Sequence, residues 1–77
     1  MIVYFFDLKF SNERQFNALK RRFYYNLNRL KGKPDFRTKS VLVFDNSAEE
    51  LLDTFFKKYA TESKVYKVKC RHIEQVC

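Results

Sequence analysis

From Ile2 to Leu8 the chain reads IVYFFDL, with Asp7 as the one polar break in an apolar run. Aromatic and β-branched residues in this density predict a β-strand. Ile2, Tyr4, Phe6 and Leu8 then share one face, and Val3, Phe5 and Asp7 the other. Both faces are apolar, as in a strand covered on both sides. After residue 10 the period changes. Phe16, Leu19, Phe23, Leu27 and Leu30 recur every three or four positions, which predicts an amphipathic helix running to about Leu30. Ser11 or Asn12 can cap it, and Gln15 follows Asn12 by three as in a capping box. In KGKPD, Gly32 can take the left-handed cap and Pro34 forbids continuation.

The next segment, FRTKSVLVFD, contains a strand at SVLVF. The residues before it either belong to the same strand or pair with it after a tight bend. Ser47, with Glu50 three residues on, predicts the start of a second helix. Its buried stripe is Leu51, Leu52, Phe55, Phe56 and Tyr59. Glu49, Glu50 and Asp53 early and Lys57 and Lys58 late match the helix dipole. A last strand spans about Lys64–Cys70, where Tyr66, Val68 and Cys70 alternate with Lys67, Lys69 and Arg71. HIEQV offers a further short strand. The order β-α-β(β)-α-β describes one α+β domain over residues 1–77. Two such helices cover one face of an antiparallel sheet. A second copy of the chain is the simplest cover for the other face. A twofold homodimer would bury Val3 and Phe5 and bring each Asp7 near the interface.

Composition sharpens this picture. A 77-residue chain buries about 60% of its unfolded surface, and nine Phe and five Tyr supply bulk. The net charge of +7 is uneven: residues 1–40 hold ten Lys/Arg against three Asp/Glu, and residues 41–77 hold six of each. A basic half favours an anionic partner, nucleic acid first. Arg14, Arg21, Arg22 and Arg29 share the outer helix face with Tyr25, and Lys31, Lys33, Arg37 and Lys39 extend it. Such a surface contacts phosphates without reading sequence. Its bland counterpart is a solvated helix face, partly paired with acids. Cys70 and Cys77 form no CxxC pair, and only His72 lies near them, which disfavours structural zinc and iron–sulfur clusters. The longest apolar stretch, Ile2–Phe6, is far short of the ~20 residues that span a bilayer. A cytoplasmic location is expected.

IVYFFDL, the basic amphipathic helix and RTKSV together resemble a family of small nucleases of CRISPR adaptation, known as the second CRISPR-associated protein, or a related toxin or viral protein of the same fold. In that family a first strand ends in an aspartate, here Asp7, and a later strand carries a Ser-Val pair, here Ser40 and Val41. The resemblance implies a ferredoxin-like sandwich, with open sheet faces turned inward in a homodimer. It implies that the segment His72–Val76 pairs with the other subunit, which adds Ile73 and Val76 to the interface.

For Asp7 the resemblance implies catalysis. Two such carboxylates across a dimer axis can share Mg²⁺ or Mn²⁺, which would activate water against a phosphodiester. A structural Asp7, capping the first helix or pairing with a lysine, carries equal weight. Ser40, Asp45 and His72 are lesser candidates: a phosphate or Asp7 contact, a second carboxylate and a general acid. A catalytically silent nucleic-acid binder is one rival. A small protein-interaction module, such as an inhibitor or host-takeover factor, is the other.

Overall fold

The computed structural model describes the chain except residues 31–35, and for Phe36 and Arg37 it describes the backbone alone. Lys31, Gly32, Lys33, Pro34 and the Arg37 side chain therefore lie outside the described residues. The order is β1 (Ile2–Leu8), α1 (Glu13–Asn28), β2 (Phe36–Arg37), β3 (Val41–Phe44), a 3₁₀ turn (Asn46–Ala48), α2 (Glu49–Lys57) and β4 (Ser63–Lys69). β1 is central, antiparallel to β3 on one side and to β4 on the other. The two-residue β2 pairs antiparallel with β3, giving the strand order β2-β3-β1-β4. The residues before SVLVF thus form a separate short strand. Thr38 closes the bend: its N–H donates to the Val41 carbonyl at 2.8 Å. Its Oγ1 accepts from the N–H groups of Ser40 and Val41 at 3.3 and 3.1 Å.

Asn12 is the cap of α1, its side chain accepting from the Gln15 N–H at 2.9 Å. The helix proper stops at Asn28, and its last turn tightens through bonds from Arg29 to Asn26 and Leu30 to Leu27. The start of α2 differs from the Ser47 capping box. Asp45 accepts from the Ser47 N–H at 3.1 Å and opens the 3₁₀ turn, which leads into α2 through Ala48 without a side-chain cap. A carboxylate two residues upstream reaches the Ser47 N–H as an Asx turn, so Asp45 rather than Ser47 opens this segment. Residues 70–77 form no strand, so HIEQV is irregular, with His72 to Cys77 exposed.

Both helices pack on one side of the sheet. Ile2, Tyr4 and Phe6 of β1 and Leu42 and Phe44 of β3 meet Leu19, Phe23 and Leu27 of α1. Leu52, Phe55 and Phe56 of α2 complete this core with Tyr59. Leu51 is left exposed on the outer side of α2. Phe23 is its centre, its ring 5.1–6.1 Å from those of Phe6, Tyr24, Phe55, Phe56 and Tyr59. Aromatic rings bury roughly 150–250 Å² each, so a few of them fill a core this short chain could not build from small residues.

Candidate nucleic-acid interface

β4 decides where the charges go. A half-buried strand ordinarily turns its apolar set to the core. Here the registers of Lys67 with Tyr4 and Lys69 with Ile2 put both lysines on the helix side. Tyr66 and Val68, in register with Phe5 and Val3, fall on the open side. The reason is α2, whose first turns carry Glu49 and Asp53. Lys67 pairs with both, and Lys69 with Glu49 at 3.0 Å. The Tyr4 hydroxyl donates to Asp53 at 2.8 Å and to the Glu49 carbonyl at 3.2 Å. The lysine bonds hold the carboxyls of Glu49 and Asp53 below the usual range, and the same carboxylates raise Lys67. Burial, then the Asp53 bond, pushes the Tyr4 hydroxyl up. On the next flank Arg22 pairs with Glu62 at 2.9 Å.

The basic positions of α1 are placed differently. Arg14, Arg21 and Arg29 are exposed and form no ion pair among the described residues. Arg29 lies 5.5 Å from the Tyr25 ring, a cation–π contact that orients it. Arg22 is the exception, neutralised by Glu62. Lys39 sits in the bend between β2 and β3, and its carbonyl accepts from the Tyr24 hydroxyl at 2.6 Å. That bond draws the bend onto the flank of α1. The result is a groove lined by Lys20, Arg21, Tyr24, Thr38 and Lys39. Lys20 and Tyr24 were missed in the sequence because they border the apolar stripe. Their i,i+4 spacing beside Arg21 was the only local signal.

Asp7 is exposed on the side of the sheet away from the helices, in register with Lys64. Among the described residues its side chain makes no ion pair or hydrogen bond; the helix cap is Asn12. Ser40 contributes backbone, its carbonyl accepting from the Phe6 N–H at 3.0 Å. The Asp45 carboxyl is lowered by the Ser47 hydroxyl and N–H and serves the 3₁₀ turn. His72 is exposed and lies 3.3 Å from Glu74. Both cysteines are free thiols, Cys70 half-buried and Cys77 exposed. No three His, Cys, Asp or Glu side chains gather among the described residues.

The open side of the sheet is partly closed within the chain. Val3 and Val43 are buried there, which leaves little of Val3 for an interface. Phe5, Tyr66 and Val68 are 45%, 68% and 51% exposed, and they are neighbours across β1 and β4. Ile73 and Val76 are exposed in the tail. Among the described residues no helix is long and apolar enough to cross a membrane. Compared with known proteins, the chain matched no family model, no curated protein and no solved structure.

Proposed function

We propose that this chain is a nucleic-acid-binding protein of ferredoxin-like topology that pairs with a second copy through its open sheet face. The strand order β2-β3-β1-β4, with helices following β1 and β3, supports the topology. One observation carries the function. Glu49, Asp53 and Glu62 pair with Lys67, Lys69 and Arg22, whereas Arg14, Lys20, Arg21, Arg29 and Lys39 have no ion pair among the described residues. Unpaired cations along α1 and the β2–β3 bend suit a phosphate backbone and carry no base code. Two unrelated 20-bp duplexes should therefore bind with similar Kd, and that Kd should rise at least tenfold between 50 and 200 mM salt. Binding to neither duplex at 50 mM salt, with capture of an acidic protein partner instead, would make the chain a protein-interaction module.

The exposed cluster of Phe5, Tyr66 and Val68 supports the dimer. Asp7 and Lys64 stand beside it at one end, so a twofold axis can set each against its opposite charge. Phe5→Asp should leave a monomer in sedimentation; a wild type that is already monomeric removes the dimer.

Metal-dependent cleavage does not fit one chain. Asp7 is a single exposed carboxylate with Lys64 across from it, and Asp45 is held by its turn. Mg²⁺ or Mn²⁺ would need Asp7 from both copies. Metal-dependent cleavage that Asp7→Asn abolishes would add catalysis to binding.

A further inference from the structure

We propose that the groove between α1 and the β2–β3 bend seats one backbone phosphate of the bound nucleic acid, held by Lys20, Arg21, Lys39 and the Thr38 hydroxyl. This rests on the nucleic-acid function above and names its central contact. Among the described residues the groove is lined by three cations and no acid. Thr38 adds a hydroxyl with a proton free to donate. Its oxygen already accepts from two N–H groups, at 3.3 and 3.1 Å, so its proton points elsewhere.

The walls are fixed before any ligand arrives. Tyr24 donates to the Lys39 carbonyl at 2.6 Å, and its ring stands edge-on to Phe23 at 5.2 Å, which roots the groove in the core. The Lys20 ammonium is held 4.9 Å from the Phe16 ring. Four donor groups lining one groove can together satisfy the several acceptor oxygens of a phosphate. Arg21 also belongs to the outer face of α1 with Arg14, so a strand seated in the groove continues along the proposed surface.

The test compares duplex binding of the full chain with Lys20→Gln/Lys39→Gln and with Arg14→Gln/Arg29→Gln, by anisotropy at 50 mM salt. The groove pair should lose at least tenfold in affinity, and its log–log salt slope should fall by about two. Lys20→Arg/Lys39→Arg should stay within threefold of wild type, with unchanged thermal melts throughout. Wild-type affinity in the Lys→Gln pair, with weakening only in the arginine pair, would overturn the seat and leave nucleic-acid binding standing. A wild type that binds no oligonucleotide would end both. So would amide shifts of Thr38 and Lys39 that respond to an acidic peptide and not to the duplex.

Discussion

Lys67, within β4, and Lys39, in the bend before β3, are both exposed lysines, and the fold gives them opposite environments. Lys67 stands over α2, answered by Glu49 and Asp53, and through Asp53 it joins the buried Tyr4. Lys39 stands over α1, beside Lys20 and Arg21, and no acid answers it among the described residues. The first cluster spends its charge inside the molecule. The second presents charge to whatever arrives. A cation's role here follows from which helix faces it rather than from its residue type.

The largest change to this comparison comes from the core beneath both clusters. Phe23 is fully buried and its ring meets both Tyr24, behind the groove, and Phe56, beside Tyr4. Phe23→Ala should cost about 3–5 kcal/mol, comparable with the whole stability of a small domain, read from urea unfolding. Both clusters should be lost together.

Tyr4→Phe separates them. It removes the donor to Asp53 and to the Glu49 carbonyl and should cost about 1–2 kcal/mol. Oligonucleotide binding should stay at the wild-type level. A loss of binding larger than the loss of folded protein would mean that the two clusters are coupled.

The pH dependence of folding should report the first cluster, with Asp45 of the 3₁₀ turn adding to its acid side. Asp53 and Glu49 have folded pKa values below their unfolded ones, so their contribution is present above the usual carboxylate range and lost as pH falls through the folded values. Tyr4 and Lys67 are raised when folded, so theirs is present below their unfolded values, near 10, and lost as pH climbs above them. Thermal melts should peak between these limits and fall on both sides. The smallest effect belongs to the groove itself: Lys20→Gln/Lys39→Gln should move stability by about 0.5 kcal/mol at most, because it breaks no ion pair among the described residues and loses only the exposed contact of Lys20 with Phe16.

Much of the architecture was legible along the chain. The strand Ile2–Leu8, the Asn12 cap and the stripe Leu19, Phe23 and Leu27 are set by neighbours within a few residues. The α2 cap was misassigned because Asp45 and Ser47 both suit a helix start, and the choice is a matter of turn geometry. HIEQV offers a further short strand in the sequence, yet residues 70–77 make no pairing that the structure assigns as a strand. On the candidate interface, Arg14, Arg21 and Arg29 were visible as one helix face, but the pairing of Arg22 with Glu62 was not.

The sequence by itself determined the elements, the apolar stripes and the excess of positive charge in the first forty residues, because these are local patterns and sums. Only the tertiary structure decided which cations are neutralised. Lys67 meets Asp53 across fourteen residues, Arg22 meets Glu62 across forty, and Tyr24 meets Lys39 across fifteen. The physical reason is strand register. With a side-chain period of two, the alignment of β4 on β1 places Lys67 over α2 and Tyr66 on the open side, and a slip of one residue would exchange them.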